Sequence, residues 1–240
     1  MAGERVEVVL VYQSLLGIYG DRGNATVLVK RLAWRGFDPV LTVVEPGDPL
    51  PDSGNVYLLG GGEDAAQISA VRALQADGGL HRAVERGAAV LAVCAGYQIV
   101  GTEFGGAEGE PVAGLGLLDI SSGRGERRGV GEIIADVDPA LGAGRLTGFE
   151  NHQGVTRRGP GAKPLATVVT GVGNGDGTEG AYAGRVAGTY LHGPALVRNP
   201  GLADMLLGWV AGPLPPVDPQ QEGLVQQLRA ERLAAQGAPA

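Results

Sequence analysis

The sequence predicts an α/β fold in which helices cover both faces of a mostly parallel sheet. Two observations carry this prediction. Short, wholly apolar segments alternate with helix-like segments through the first half of the chain, and this pattern is typical of parallel strands buried on both faces. Chemically distinctive residues directly follow some of these apolar segments, and open α/β sheets bind their ligands at the carboxyl ends of strands.

The elements of the first half can be placed in order. Strands are predicted at 6–12, 40–44, 56–59 and 88–93, and helices at 21–35, 63–75 and 80–86. We expect Asp21 to cap the first helix and Gly36 to end it. Each strand is therefore followed by a helix or a turn, as a parallel sheet requires.

The second half is richer in glycine and in short strands. Strands are predicted at 131–137, 165–170 and 185–190, and a helix at 199–210. The glycine-rich segment 171–177 lacks the spacing of a nucleotide-binding loop and does not lead into a helix, so a flexible hairpin is the preferred interpretation. We predict one domain over 1–211, followed in 212–240 by a proline-rich break and an amphipathic helix at 220–235.

Composition argues against several classes of function. The net charge is −7 with acidic and basic residues interspersed, unlike the basic patches of nucleic-acid-binding proteins. A single cysteine fits a reducing cytosol, so a cytoplasmic location is expected. The longest apolar run is far shorter than the roughly 18 residues of a membrane span. Acidic residues also stand in the N-terminal segment, where a secretion signal would need a basic flank.

Cys94 is the leading candidate for a catalytic residue. It ends an apolar strand, and a helix-like segment begins at Ala95. A side chain at such a corner points out of the sheet end, where the first N–H groups of the helix face whatever the sulfur attacks. We predict a nucleophile, with a small buried hydrophobe as the alternative. A free thiol has a pKa of about 8.5, so a helix N-terminus or an imidazole must favour the thiolate.

The histidines differ in their settings. His192 follows the strand predicted at 185–190, and neighbouring strand ends bring their last side chains together. We therefore predict that it is the general base for Cys94, with a structural role in a turn as the alternative. His152 lies in a polar segment that could line the pocket or order a turn. His81 lies in a polar helix and is expected in solvent.

Glycines and arginines complete the candidate site. The segment Gly60–Gly62 could bring backbone N–H groups close to a ligand and form an oxyanion hole with Ala95, or it could be a tight turn only. Arg127 and Arg128 could bind a carboxylate through parallel hydrogen bonds. Adjacent strand residues point to opposite faces, so only one of these arginines is expected in the pocket.

Together these segments resemble the class I, or triad-type, glutamine amidotransferases, in their cobyric-acid-synthase-like branch. Within it the chain is similar to the glutaminase subunits of lipid II isoglutaminyl synthase. The resemblance covers about residues 6–210 and implies a flavodoxin-like or Rossmann-like fold. It rests on Tyr19-Gly20-Asp21-Arg22-Gly23-Asn24, Leu59-Gly60-Gly61-Gly62-Glu63-Asp64, Cys94-Ala95-Gly96-Tyr97-Gln98, Gly148-Phe149-Glu150-Asn151-His152 and Gly188-Thr189-Tyr190-Leu191-His192-Gly193-Pro194.

The resemblance implies a reaction on the side-chain carboxamide of L-glutamine. Cys94 would attack the carboxamide, and backbone N–H groups near Gly61, Gly62 and Ala95 would hold the oxyanion. His192 would protonate the departing ammonia and then activate water to hydrolyse the glutamyl thioester.

The resemblance also implies residues that bind the substrate. Arg128 matches the position that binds the α-carboxylate of glutamine, whereas Arg127 aligns less well. Gln98 and His152 are further pocket candidates.

A partner is implied as well. It would be a Mur-ligase-like (MurT-like) synthetase subunit in a heterodimer, using ATP to amidate the D-glutamate of lipid II. This chain itself would hold no cofactor and no metal. Pro194 stands where the class places an acid two residues after His192. An aspartate of the partner would then complete the triad, with Glu150 and Glu179 as candidates within the chain.

Other functions remain open at this point. The chain could serve another acceptor, such as a cobyric-acid-type corrinoid, or be another cysteine hydrolase on a similar fold. It could also be a non-catalytic regulatory module. The presence of both Cys94 and His192 argues against a regulatory module, while the missing acid at Pro194 keeps it open.

Overall fold

The computed structural model describes residues 3–106 and 108–235. The strands are β1 (Arg5–Val11), β2 (Asp38–Val44), β3 (Val56–Leu59), β4 (Ala89–Val93), β5 (Glu103–Gly105), β6 (Pro111–Ala113), β7 (Ile120–Val137), β8 (Arg145–Arg158), β9 (Ala166–Thr170), β10 (Thr178–Glu179), β11 (Ala181–Ala183) and β12 (Val186–Thr189). The helices are α1 (Arg22–Ala33), α2 (Asp64–Asp77), α3 (Gly79–Glu85), α4 (Ala95–Ile99), α5 (Ala195–Arg198), α6 (Pro200–Ala211) and α7 (Pro219–Ala235).

The first sheet has the strand order β11-β12-β4-β3-β1-β2. All neighbours are parallel except β11, which is antiparallel to β12. Every residue of β3 and β4 is buried, which explains why these segments are apolar throughout. The predicted, mostly parallel sheet is confirmed.

Helices cover both faces of this sheet, as predicted. Alternate side chains of a strand point to opposite faces, so Leu59 packs in a core with residues of α2 and α3, while Leu58 packs in a core with residues of α1 and α6. The segments predicted to form the site directly follow the carboxyl ends of β3, β4 and β12.

The second sheet has the order β10-β9-β7-β5-β6, with β8 paired to β7. Its pairs are antiparallel except β5 with β7. The sequence predicted only 131–137 of the long strand β7 and missed β8. The reason is that 123–129 is rich in glycine and charged residues, which have low strand propensity, and many of its side chains face solvent.

The predicted helices begin and end within two residues of the observed bounds. Asp21 stands at the N-cap position of α1, as predicted, but its side chain makes no capping bond to the helix, because the carboxylate turns toward Gly61 instead. Helix α7 contacts the rest of the chain, since Arg31 Nη2 lies 3.1 Å from Glu222 Oε2 and Arg229 Nη1 donates to the Arg198 carbonyl at 2.9 Å.

Residues 1–2 of the predicted domain 1–211 and residues 236–240 of the predicted region 212–240 lie outside the described residues. Over 3–106 and 108–235, no helix combines the length and the apolar character needed to cross a lipid bilayer.

Candidate active site

Cys94 occupies the predicted sharp corner between β4 and α4. Its backbone has φ 52° and ψ −105°, a region that a residue with a side chain rarely adopts and that stores strain. Gly96 allows the turn to pack closely, because a Cβ there would lie 2.8 Å from the Leu59 carbonyl oxygen. Cys94 is only partly buried, so a sulfur is presented at the end of the sheet.

The order of strands brings the predicted segments together. Strands β12, β4 and β3 are neighbours, so the residues that follow them share one edge of the sheet. Cys94 follows β4, His192 follows β12, and Gly60–Gly62 follow β3. Gly61 and His192 are in close contact, because a Cβ on Gly61 would lie 2.9 Å from His192 Cε1.

A cavity of about 200 Å³ opens in front of the thiol. It is lined by most of the site residues predicted from the sequence, namely Cys94, Gly62, Ala95, Gln98, Arg128 and His152. Arg127, the neighbour of Arg128, is not part of the lining. His192 and Gly61 lie in contact with each other but do not line this cavity either.

His192 is buried, with 1% of its surface exposed. Its backbone pairs with Phe149 of β8, donating to that carbonyl at 2.8 Å and accepting from that N–H at 3.3 Å. The Tyr19 ring lies against the imidazole, with ring centroids 4.6 Å apart. Neither imidazole nitrogen has a hydrogen-bond partner within the described residues. The thiol–imidazole bond expected of a base is therefore not formed here, and catalytic bonds often tighten only with substrate.

The acid that approaches His192 is Asp21. The distance from Asp21 Oδ1 to His192 Nδ1 is 3.8 Å, and Asp21 is 2% exposed. The other oxygen, Oδ2, accepts the Gly61 N–H at 2.6 Å. This contact corrects one prediction, because the Gly61 N–H is used within the protein and does not face the pocket as an oxyanion donor.

The other glycines of the β3 loop serve close packing. A Cβ on Gly60 would lie 2.1 Å from the Leu16 carbonyl oxygen, and one on Gly62 would lie 2.6 Å from that of Leu15. No side chain fits at either place. Gly62 also lines the cavity, as Ala95 does, and the role of their N–H groups in an oxyanion hole stays a prediction.

Both acids suggested within the chain as partners of His192 are bound elsewhere. Glu150 accepts the backbone N–H groups of Val172 at 2.7 Å and Gly173 at 2.9 Å. Glu179 accepts the Thr189 hydroxyl and the Tyr190 N–H. Neither candidate acid therefore forms a hydrogen bond to His192. Sequence reasoning could not separate them, because burial and partners depend on how the two sheets pack.

Burial and nearby charge disfavour the thiolate form of Cys94. Burial, with a smaller contribution from the Asp21 carboxylate, raises the pKa of the Cys94 thiol to about 12. The Ala95 N–H and the Arg128 guanidinium act in the opposite direction on this pKa but do not outweigh burial. The helix N-terminus alone therefore does not produce the thiolate that the sequence led us to expect.

Arg128 faces the pocket because of an irregularity in the β7–β8 pairing. Arg124 pairs with Gly154 and Gly129 pairs with His152, so residues 125–128 form a bulge, a device that re-aims side chains. Nε of Arg128 donates to Asn151 Oδ1 at 2.7 Å. The terminal nitrogens of Arg128 make no hydrogen bond to any described residue and can receive a carboxylate.

His152 and Gln98 belong to a polar network at the wall of the cavity. The His152 ring stacks on Tyr190 at 3.8 Å, and its Nε2 lies 3.3 Å from Glu150 Oε2. Gln98 Nε2 donates to the Tyr190 hydroxyl at 3.2 Å, and Gln98 Oε1 accepts from Gln67 Nε2 at 2.8 Å. Burial acts to raise the pKa of Glu150, but hydrogen bonds from His152, Gly173 and Val172 outweigh it and hold this pKa low.

The sequence missed several residues of the site. Tyr19 and Asn151 were noted only as parts of motifs and Asp21 also as a helix cap, and neither periodicity nor spacing marks them as neighbours of His192. His81 is also less exposed than expected, because its Nε2 lies 2.7 Å from the Leu115 carbonyl oxygen. No group of metal-binding side chains is found in the described part of the chain.

A thiol on a strained corner, flanked by the histidine and glycine segments of the neighbouring strands, defines an α/β protein with a glutamine amidotransferase fold. A solved glutamine amidotransferase superposes with a TM-score of 0.57 over 85% of this chain and 98% of that one, at 22% identity. Another, from Thermotoga maritima, gives a TM-score of 0.52 over 78% of this chain and 75% of that one, at 16% identity.

Residues 7–200 match the family of CobB/CobQ-like glutamine amidotransferase domains, and the chain belongs to this family. The lipid II isoglutaminyl synthase (glutamine-hydrolyzing) subunit GatD of Staphylococcus aureus (strain N315) is 33% identical over 80% of this chain and 79% of its own. The GatD subunit of Streptococcus pneumoniae (strain ATCC BAA-255 / R6) is 31% identical over 85% and 79%. A cobyric acid synthase of Sphingopyxis alaskensis is 33% identical over 78% of this chain and 40% of its own.

Proposed function

We propose that this chain hydrolyses glutamine as the glutaminase subunit of a lipid II isoglutaminyl synthase. The observation that carries the proposal is the cavity, which places the Cys94 thiol and the Arg128 guanidinium on one small polar space. An amino acid with a carboxylate at one end and a carboxamide at the other fits these two groups. The similarity to two GatD subunits supports lipid II as the final acceptor of the ammonia.

The site residues perform the hydrolysis in two halves. Arg128 binds the α-carboxylate of glutamine through its terminal nitrogens. Cys94 gives its proton to His192 as its sulfur attacks the carboxamide carbon, because a thiol with a raised pKa is protonated at neutral pH. The N–H groups of Ala95 and Gly62 hold the tetrahedral oxyanion. His192 then protonates the nitrogen, the C–N bond breaks, and ammonia leaves a glutamyl thioester on Cys94.

Water completes the cycle. His192 takes a proton from water as the water oxygen attacks the thioester carbon. The C–S bond breaks, the proton returns to the sulfur, and glutamate leaves. The net change is glutamine and water to glutamate and ammonia.

The ammonia is used on a partner subunit. We propose a heterodimer with a Mur-ligase-like (MurT-like) synthetase, which uses ATP to activate the α-carboxylate of D-glutamate in lipid II and joins it to ammonia as D-isoglutamine. This chain then needs no cofactor of its own, and the complex works in the cytoplasm on peptidoglycan precursors, with consequences for cell-wall synthesis and cell shape. The resemblance further predicts that an aspartate of the partner orients His192.

Diazo-oxo-norleucine, an electrophilic analogue of glutamine, tests the glutaminase reaction. We expect one adduct on Cys94 by intact-mass spectrometry and none on a Cys94→Ser variant. No adduct on the wild-type chain, alone or with a Mur-ligase-like subunit, would contradict the proposal. A second experiment identifies the acceptor. Glutamine labelled with ¹⁵N in its amide is supplied to the complex with either lipid II or a corrinoid acid, and ¹⁵N incorporation into each acceptor is measured.

A further inference from the structure

We infer that Asn151 is a positioning residue that fixes the Arg128 guanidinium for the α-carboxylate of glutamine. The inference deepens the proposed function and rests on it for the role of Arg128. It adds a residue that determines how well the site selects a carboxamide with an α-carboxylate. Asn151 acts through Arg128 and not on the reacting atoms.

The Arg128 side chain starts from an irregular stretch of backbone, because residues 125–128 lie in the bulge of the β7–β8 pairing. Among the described residues, its only hydrogen bond is the one from Nε to Asn151 Oδ1, at 2.7 Å. A long arginine side chain loses much rotamer freedom when a ligand immobilises it. A bond that already fixes this side chain in the free protein reduces that cost on binding.

The Asn151 side chain is itself fixed at both ends of its amide. Its backbone lies in β8 opposite Val130, where the pairing with β7 is regular again. Its Nδ2 donates to the Tyr19 hydroxyl at 2.5 Å. The Arg128 Nε–H can only donate, so the amide must turn its oxygen toward Arg128 and its NH₂ group toward Tyr19. The acceptor for Arg128 therefore has a single orientation.

The bond at Nε determines which edge of the guanidinium is open. A guanidinium binds a carboxylate through two parallel N–H groups, either on the edge that includes Nε or between the two terminal nitrogens. Asn151 occupies the Nε–H, so the edge between Nη1 and Nη2 remains for the α-carboxylate. Arg128, Asn151 and Cys94 line the same cavity. Asn151 therefore sets, through Arg128, where the carboxylate lies relative to the sulfur.

An uncharged amide is suited to this role. A carboxylate in its place could accept the same Nε–H, but it would also neutralise the charge of Arg128 and repel the α-carboxylate of the substrate. The amide leaves that positive charge for the substrate. Asn151→Ala removes the acceptor, whereas Asn151→Asp keeps an acceptor and adds a charge, so the two variants separate geometry from charge.

Two electrophiles that react with the same thiol separate recognition of the carboxylate from reactivity of Cys94. Diazo-oxo-norleucine carries an α-carboxylate, and iodoacetamide has none. In Asn151→Ala we expect the second-order rate of labelling by diazo-oxo-norleucine to fall about 3- to 10-fold, the range of one hydrogen bond. The rate with iodoacetamide should not change. Time-resolved intact-mass spectrometry measures both rates, and a loss of structure would change both.

Steady-state kinetics with the Mur-ligase-like subunit present give an independent readout. Asn151→Ala should raise KM for glutamine by about the same 3- to 10-fold with little change in kcat, and Asn151→Asp should raise KM further. The matched control is Gln153→Ala. It removes an amide two residues further along β8 that donates to the Gly125 carbonyl at 3.0 Å, so KM and the ratio of labelling rates should stay unchanged.

A double variant tests whether Asn151 acts through Arg128. Arg128→Ala with Asn151→Ala should have the same KM for glutamine as Arg128→Ala alone, because the amide then has no guanidinium to position. Independent, additive increases of KM would overturn the inference.

An equal ratio of the two labelling rates in wild type and Asn151→Ala would overturn it as well. Failure of the proposed function looks different. A wild-type chain that neither hydrolyses glutamine nor reacts with diazo-oxo-norleucine, with the partner present, would remove the glutaminase reaction and this inference together. An active wild type with an unchanged ratio in Asn151→Ala would remove the inference alone.

Discussion

A hydrogen bond between Arg128 and Asn151 connects Arg128, the proposed substrate anchor, to the surroundings of His192, the proposed base. Arg128 donates from Nε to Asn151 Oδ1 at 2.7 Å, and Asn151 Nδ2 donates to the Tyr19 hydroxyl at 2.5 Å. The Tyr19 ring in turn lies against His192, with centroids 4.6 Å apart. A single chain of contacts therefore holds the guanidinium and the imidazole in a common frame.

Substitution of Arg128 tests the substrate anchor. Arg128→Ala should raise KM for glutamine by about 10- to 100-fold, because a hydrogen bond to a charged group contributes about 1.5–3 kcal/mol. Arg127→Ala is the matched control, since Arg127 is exposed on the same strand and does not line the cavity. Steady-state kinetics on both variants decide the matter, and an equal KM for wild type and Arg128→Ala would remove Arg128 from the site.

The reactivity of Cys94 should depend strongly on pH. With a thiol pKa of about 12 in the folded chain, the thiolate is rare at neutral pH and increases as pH rises toward that value. We expect iodoacetamide to modify the folded chain at pH 7.5 at least about tenfold more slowly than the chain in urea. The folded rate should still be rising at pH 10. A plateau near pH 8 in time-resolved mass spectrometry would contradict this expectation.

Glu179 should make the folded chain less stable as pH rises. Burial raises its pKa from 4.5 to about 6, while the Thr189 hydroxyl and Tyr190 N–H act to lower it. The folded state holds this proton more tightly, so stability is lost between about pH 4.5 and 6. The loss is about 2 kcal/mol. Urea unfolding across this range should show the slope in the wild type and not in Glu179→Gln.

Glu150 should have the opposite effect of pH on stability, because its pKa is lowered in the folded state. Its contribution is present above the unfolded pKa and is lost as pH falls through the folded value. Glu150→Gln should therefore lower the free energy of unfolding at neutral pH and change it less in acid, as urea unfolding at the two pH values can measure. An equal change at both pH values would contradict this assignment.

Gly188 lies where strand β12 meets the Tyr97 ring. A Cβ at Gly188 would be 1.9 Å from Tyr97 Cδ2, so Gly188→Ala should destabilise the chain by about 1–3 kcal/mol through overpacking. Gly208→Ala is the control, since a Cβ at that position of helix α6 meets nothing within 4 Å. Alanine should stabilise this helix by about 0.5–1 kcal/mol. Thermal melts of the two variants should therefore shift in opposite directions.

The parts that the sequence predicted well depend on local patterns. The apolar runs of β3 and β4, the cores on both sheet faces and the corner at Cys94 all follow from periodicity and chain order, and the structure contains them. Strand β8 was missed because its polar side chains have no strict alternation. The sequence could only name Glu150 and Glu179 as candidates to orient His192, because their actual hydrogen bonds join separate segments that the fold brings together.

The sequence by itself determined the parallel sheet, the sharp corner at Cys94 and the histidine at a strand end, because each follows from residues close together in the chain. Only the tertiary structure decided which acid faces that histidine. Asp21 was expected to cap a helix, yet it lies against Gly61 and His192, which follow strands β3 and β12. The physical reason is that a carboxylate interacts with what surrounds it in space, and the order of strands sets those surroundings.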